Sequence, residues 1–345
     1  MLNELRLQQF RCFTEHTITL LEPKNAFLGG NGKGKTSLLE AIYFLTRCRS
    51  FRTHQTRDLI HWGGGMLGVS GDFSEQPVRR LKVEWSVDDR ILTINDSSNA
   101  SFREYWGQVL SVVFQNSDRH ILQGPAQLRR QWVDGLIASV KPDYLQWIQR
   151  AQLLLKQKNA FLRKNAQDRG IWTSLTDQQE EGTRRIHEAR IAFTEQAAPV
   201  LETSYQILTG KKECLRMTYE AEIPRQLTRT REKLWEMERQ FGTAQLGPHR
   251  DDWKFQLDGK MLRAFGSEGQ VKSGALSLRL LELQMMHRQT NRWPLLLIDD
   301  ALNDLDLGRK EQFWSLVPPE AQLFYATPQL DQLPVRAGFK IYELE

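Results

Sequence analysis

Phe27-Leu28-Gly29-Gly30-Asn31-Gly32-Lys33-Gly34-Lys35-Thr36-Ser37 contains G-x-x-x-x-G-K-[ST], the pattern of a phosphate-binding loop. Its context fits on both sides. Asn25 to Leu28 is short and strand-like, and Ser37 to Leu45 carries apolar residues at helical spacing. Glycines let the backbone approach a polyphosphate, and the amides at the start of the following helix face an anion. Gly29, Gly30, Asn31, Gly32, Lys33, Gly34, Lys35, Thr36 and Ser37 are therefore expected to line a nucleotide site. Lys35 is expected to reach the β/γ-phosphates and Thr36 to ligate Mg²⁺. A glycine-rich turn that binds nothing is the alternative, and the strand and helix on either side speak against it.

The rest of the chain completes an α/β design. Leu2 to Gln8 and His16 to Leu20 read as a hairpin. Leu67 to Phe73, Arg80 to Val87 and Arg90 to Ile94 read as an antiparallel meander with Asp88-Asp89 at a turn. Gly107 to Phe114 ends in an apolar run, consistent with a buried strand. From Gln127 to about Gln240 the texture changes to Gln, Arg, Lys, Glu and Leu at helical spacing. Breaks are expected at Gly182 and Pro224, and Pro142 is expected to open a long helix over Tyr144 to Lys164. Trp253 to Phe265 reads as a hairpin turning at Asp258-Gly259, and Ser273 to Arg288 as a helix. Trp293 to Ile298 is a near-continuous apolar run, the mark of a strand buried on both faces. Leu323 to Ala326 and Phe339 to Tyr342 read as further strands. The expected organisation is an ATPase head split between residues 1–114 and 243–345, with a helical lobe, 115–242, inserted between them.

Composition sets limits. The chain has 345 residues, 40% hydrophobic and 26% charged, with a net charge of +5. No apolar run approaches the ~20 residues of a membrane span, and the N-terminus has no apolar signal-peptide core. Cys12, Cys48 and Cys214 are scattered, which fits a reducing cytoplasm and argues against structural zinc. The charge permits a polyanionic partner without identifying one.

Two further segments bear on the phosphate loop. WPLLLI ends in Asp299-Asp300, and a carboxylate at the C-terminal end of a buried strand is the expected second Mg²⁺ contact. Asp299 fits that role. Asp300 is placed to position or deprotonate a water. Upstream, Ser267-Glu268-Gly269-Gln270 opens a helix, offering a hydroxyl, free amides and a positive dipole end. Arg47 to Arg57 carries Arg47, Arg49, Arg52 and Arg57 and no acid through Thr56; it reads equally as a solvated loop or as a phosphate-contacting one.

The order phosphate loop, helical insert, S-x-G-Q, hydrophobic strand with a double acid resembles that of ABC/SMC-type ATPase heads. The closer resemblance is to the RecF family, bacterial recombination-mediator ATPases, and it covers nearly the whole chain. It is carried by Phe10-Arg11, Gly29 to Tyr43, Arg49-Ser50-Phe51-Arg52, Val113-Phe114, Gly124, Arg129 to Asp134, Gln157-Lys158-Asn159, Gly247-Pro248-His249-Arg250-Asp251-Asp252, Ser267 to Gln270 and Leu295 to Asp306. The resemblance implies a P-loop head with an antiparallel β-subdomain and a helical lobe. It also implies an ATP-dependent homodimer that binds double-stranded and gapped DNA near single/double-strand junctions, weak ATP hydrolysis with Mg²⁺, and action with RecR, RecO and RecA.

Carried over, Asp300 and Lys35 are catalytic, and Thr36 and Asp299 hold the metal. Arg11 contacts phosphate, while Ser267, Gly269 and Gln270 act on the partner's ATP. Candidate DNA contacts are Arg49, Arg52, Arg57, Arg129 and Arg130, with Arg47, Lys156, Lys158, Arg163 and Lys164 in a wider set.

Some positions depart from the family pattern. Gln115-Asn116-Ser117-Asp118 stands where the family has Ala/Ser-Pro-Glu-Asp. Gln115 reads either as the glutamine that senses Mg²⁺ and γ-phosphate or as a surface loop residue. Glu268 places an acid inside S-x-G-Q, where a like charge about 4 Å from phosphate costs ~4 kcal/mol at an effective dielectric of ~20. Asn303 replaces a serine, and Thr327 falls where ABC heads often carry a histidine. Three other readings are a nucleotide switch that does not hydrolyse, a transporter's ATPase subunit and an SMC-like nuclease. The helical insert and GPHRDD speak against the second, and the lack of a clustered Asp/Glu/His motif against the third.

Overall fold

A computed structural model describes residues 1–74, 77–164, 168–221, 231–329 and 338–344. The break expected at Pro224 lies outside them. The chain divides into two compact units. The first comprises Met1–Asp118, Ile207–Lys211 and Leu276–Glu345, and the second Arg119–Gln206 and Lys212–Ala275. Residues 243–275, expected with the ATPase head, thus group with the second unit, and residues 115–118 and 207–211, expected in the helical lobe, with the first.

The first unit opens with β1 (Leu2–Phe10), β2 (Phe13–Thr19), β3 (Lys24–Leu28) and α1 (Lys35–Arg47). There follow β4 (Met66–Phe73), β5 (Arg80–Ser86), β6 (Arg90–Ile94), α2 (Phe102–Tyr105) and β7 (Ser111–Gln115). β1 and β2 meet at a two-residue turn, with Phe10 opposite Phe13 and Arg11 at φ 51°. An antiparallel sheet has the order β2-β1-β4-β5-β6, so the period-two pattern over residues 66–94 is one meander.

The second unit contains α3 (Arg119–Gln123), α4 (Ala126–Val140), α5 (Pro142–Arg163) and α6 (Arg169–Thr209), the last running into the first unit for its final residues. It also holds β8 (Leu215–Glu220), α7 (Arg231–Phe241), β9 (Asp252–Leu257), β10 (Lys260–Met261) and α8 (Leu262–Phe265). α9 (Glu268–Thr290) starts there and continues in the first unit. β11 (Leu295–Asp299), α10 (Leu307–Leu316), β12 (Leu323–Thr327) and β13 (Lys340–Glu343) complete the first unit.

A parallel sheet of order β13-β3-β12-β11-β7 forms the floor of the first unit. Its central strands β11 and β12 are buried on both faces, as their unbroken apolar runs require. Every residue of α1 except Thr36 is buried, and the helix packs among residues of both sheets in one core that includes Leu5, Phe27, Leu39, Phe44, Val69 and Leu297. A helix apolar around most of its circumference has to be covered this way.

In the second unit, Pro142 sits in the first turn of α5, where a missing N–H costs nothing. Gly182 does not break α6, which also carries Pro199 within it. Two sites lock the helices together. Arg190 of α6 donates to Asp134 of α4 at 3.0 and 2.9 Å, and to the buried Asp251 and the Pro248 carbonyl. Buried Lys158 and Glu238 pair at 2.9 Å, and Glu238 also accepts from Trp172 Nε1 and from the Gln245 amide.

Two further segments differ from expectation. Leu215–Glu220 is not helical but a strand beside β9. Leu262–Phe265, expected in the hairpin, forms a helical turn. The hairpin itself turns where expected, with Asp258 at φ 48° and Gly259 at φ 79°, both positive as a tight two-residue turn demands.

Candidate functional site

The site is built at the C-terminal ends of the parallel strands. β3 delivers the chain into Gly29 to Gly34, and α1 starts at Lys35. Gly34 caps that helix at φ 93°, and a Cβ there would lie 2.6 Å from Phe13 Cζ, so the turn requires glycine. α1 has no side-chain cap and no acid in its first turn. Among the described residues no side chain caps its first amides, which leaves them open to an anion. Lys35 Nζ is folded back onto the carbonyls of Gly29 and Gly30 at 2.6 and 2.8 Å, across the loop.

β11 lies between β12 and β7 and ends at Asp299, in register with Ala326 and Gln115. Thr36 Oγ1 donates to Asp299 Oδ1 at 2.8 Å, so residues separated by 263 positions converge. Burial pushes the Asp299 carboxyl up to about 6, with the Thr36 hydrogen bond acting against it and the neighbouring Asp300 charge acting with it. Asp300 has φ 54°, bridges Gln115 and accepts from Asn303 Nδ2 at 3.1 Å. Gln115 is thus the last residue of a core strand, beside the acid pair.

This arrangement suits a magnesium nucleotide. Among the described residues no group of three His, Cys, Asp or Glu could hold a metal unaided. Magnesium commonly takes one or two protein oxygens and completes its shell with water and phosphate. Thr36 and Asp299 are a donor set of that kind, beside an uncapped helix start of the polarity that suits phosphates.

Other expected site residues have different surroundings. Arg11 Nε and Nη2 each donate to buried Glu40 at 2.8 Å, and Nη1 to the Asp58 carbonyl. Arg52 lies 3.5 Å from the same carboxylate. Ser267 and Gln270 cap α9 reciprocally: the Ser267 hydroxyl accepts from the Gln270 amide at 3.3 Å, and the Gln270 side chain accepts from the Ser267 amide at 2.9 Å. S-x-G-Q is therefore also a capping box. Glu268 points outward, its side chain 92% exposed and 3.9 Å from Arg119. Thr327 is buried.

The basic candidates separate by burial. Arg49, Arg52 and Arg57 are exposed, as are Lys156, Arg163 and Lys164. Arg130 is half-buried and donates to the Asp251 carbonyl. Arg129 is taken out of the DNA-contact set: it is buried, with Nε and Nη2 on Asp252 at 2.6 and 3.0 Å and Nη1 on two carbonyls. Arg47 and Lys158 are likewise buried. Side-chain burial was not legible from a run of arginines.

The family described as RecF/RecN/SMC N terminal domain matches residues 1–328. The DNA replication and repair protein RecF of Streptococcus thermophilus is 32% identical over 342 residues, covering 96% of this chain and 93% of that protein. The chain belongs to the RecF family. The RecF of Halalkalibacterium halodurans is 31% identical, covering 100% of this chain and 97% of that protein. A solved structure of the recombination mediator protein RecF with ATPrS has the same fold, with a TM-score of 0.88 at 24% identity over 100% of this chain and 96% of that one. The likeness extends more distantly to an Smc head, with a TM-score of 0.54 at 14% identity, covering 95% and 90% of the two chains. In this chain the strand, loop and acid pair follow the order of the sequence motifs on that fold.

Proposed function

We propose that the chain is an ATP-dependent DNA-binding protein of recombinational repair and DNA replication. The observation that carries its chemistry is the Thr36–Asp299 contact at the mouth of the phosphate loop, with Asp300 next in line. When bound, Mg-ATP supplies the phosphoryl group and the divalent charge. The α1 amides and Lys35 bind the phosphates, Thr36 and Asp299 hold the metal, and Asp300 orients water and accepts its proton. Ser267, Gly269 and Gln270 act on the nucleotide of a second copy, forming an ATP-driven dimer. That dimer clamps double-stranded DNA near single/double-strand junctions and assists RecA loading with RecO and RecR, while weak, DNA-stimulated hydrolysis resets it.

The names of the RecF relatives, which describe DNA replication and repair, and solved structures of RecF with ATP from the RecFOR pathway support this reading. Among the described residues no helix is long and apolar enough to cross a membrane. Exposed Arg49, Arg52 and Arg57 are the proposed phosphate contacts.

Sedimentation velocity with the Asp300→Asn protein and Mg-ATP tests the proposal. A monomer that pairs only with nucleotide, and then retains gapped duplex DNA in a salt-sensitive way, is expected. A protein that binds ATP but never pairs would overturn the clamp, and normal turnover in Asp300→Asn would overturn the catalytic assignment.

A further inference from the structure

β7 is held at both ends by one buried ionic chain. At its start, the Ser111 carbonyl accepts from Arg47 Nη2 at 2.7 Å, and the Ser111 hydroxyl bonds Thr46 Oγ1 at 2.6 Å; Thr46 and Arg47 close α1. Arg47 lies 3.7 Å from Glu282 of α9, and Glu282 accepts from Arg279 Nη1 at 2.6 Å. Arg279 Nη2 reaches Asp118 Oδ1 at 2.6 Å. The other oxygen, Asp118 Oδ2, accepts from the backbone amide of Gln115 at 2.9 Å. Side-chain exposures are 3% for Arg47 and Asp118, 10% for Glu282 and 12% for Arg279.

Charges alternate plus, minus, plus, minus along the chain, so the cluster is neutral. Such a buried network gains little stability over apolar side chains of similar volume, and its directional bonds fix geometry instead. What it fixes here is specific. Its far end holds the main chain at Gln115, the residue in register with Asp299 and bridged to Asp300. The guanidinium at that end belongs to α9, a single helix whose first turn carries Ser267 and Gln270 as its cap. Arg279 stands eleven positions beyond Glu268, ~16 Å along the helix axis.

We propose that Asp118 and Arg279 are positioning residues that tie the Gln115 end of the acid pair to α9, so that filling the phosphate site is felt along that helix. Asp118 has two oxygens and each is spoken for, one by Gln115 and one by Arg279. A shift of Gln115 toward a nucleotide therefore pulls on Arg279 through one rigid carboxylate. Arg47 closes the same circuit from the far end of the phosphate-loop helix. This coupling rests on the nucleotide reading given above.

Amide hydrogen exchange on full-length protein in an Asp300→Asn background, with and without Mg-ATP, tests it. In the parent, ATP is expected to slow exchange in peptides from both residues 29–40 and residues 268–280. Adding Asp118→Asn, which removes the charge and leaves Gln115 and Arg279 competing for one oxygen, is expected to keep the first response and reduce the second at least threefold. Should that protein not fold, Asp118→Leu with Arg279→Met replaces the pair by apolar groups and carries the same expectation. In Asp118→Asn with Asp300 intact, kcat for ATP is expected to fall about tenfold with KM changed less than threefold, a split that general destabilisation would not give. An undiminished response of the 268–280 peptide in either variant, or no response of that peptide in the parent, overturns the coupling. No ATP response in residues 29–40 of the parent would instead overturn the nucleotide reading, and the coupling with it.

Discussion

Replacing Asp299 with asparagine is expected to make the ligand-free protein more stable while removing its response to Mg-ATP. The Asp299 carboxyl is pushed up from 3.8 to about 6, first by burial and then by the adjacent Asp300 charge, against the Thr36 hydrogen bond. Between about pH 4 and pH 6 the folded state holds a proton that the unfolded chain releases. Lowering the pH through that window therefore favours folding, and above it the buried charge is carried at a cost. The difference between 3.8 and about 6 corresponds to ~3 kcal/mol at a pH above both. Asparagine keeps an oxygen for the Thr36 hydroxyl and discards the charge, so at pH 8 the variant should melt several degrees higher than the parent. At pH 5 the difference should fall to about half, because the unfolded carboxyl is still ionised there. Added Mg-ATP should raise the parent's melting temperature at pH 8 and leave that of Asp299→Asn nearly unchanged, since a carboxylate is needed to hold the metal. Melting curves from pH 5 to 8, with and without Mg-ATP, check both halves. A variant that melts below the parent at pH 8, or with a pH-independent difference, would refute the reasoning.

Gly34→Ala should abolish ATP binding measured by a fluorescent analogue, because the new Cβ would sit 2.6 Å from Phe13 Cζ at a positive φ. Glu238→Ala leaves Lys158 without its carboxylate and the Trp172 indole N–H without its acceptor, and should cost ~3–5 kcal/mol in urea denaturation followed by tryptophan fluorescence. Arg49→Ala with Arg57→Ala should weaken duplex DNA binding and reduce the slope of log affinity against log salt by about two, whereas Arg129→Ala should act on stability instead.

The phosphate loop, the Asp299-Asp300 strand end and the meander were legible because each is local: glycines at fixed spacing, an unbroken apolar run, a period of two. β8 was not, since Leu215–Glu220 is a short mixed segment whose strand character comes from pairing with β9. Gly182 misled because its helix cost, ~1 kcal/mol, is small within a helix spanning Arg169–Thr209. The arginines show the same limit at the level of the site. Nothing in Arg129-Arg130 distinguishes a guanidinium committed to Asp252 from one that is half open. The partners of such side chains lie far off in sequence, as Asp251 does from Arg190 and Asp134. GPHRDD was legible as a motif, and its folded role, a carboxylate gathering Arg190, His187 and Tyr219, was not.

β3 is flanked in its sheet by β12 and β13, and Thr36 meets its acid only at Asp299, 263 positions later. During synthesis the phosphate loop therefore leaves the ribosome long before any strand that will border it. At ~5–20 residues per second the wait is about 13 to 50 seconds. Through that interval β3 and α1 can lean only on the early antiparallel meander, and the nascent chain has no finished nucleotide site. Translation order thus withholds the finished site until β11 and its acid pair have been made.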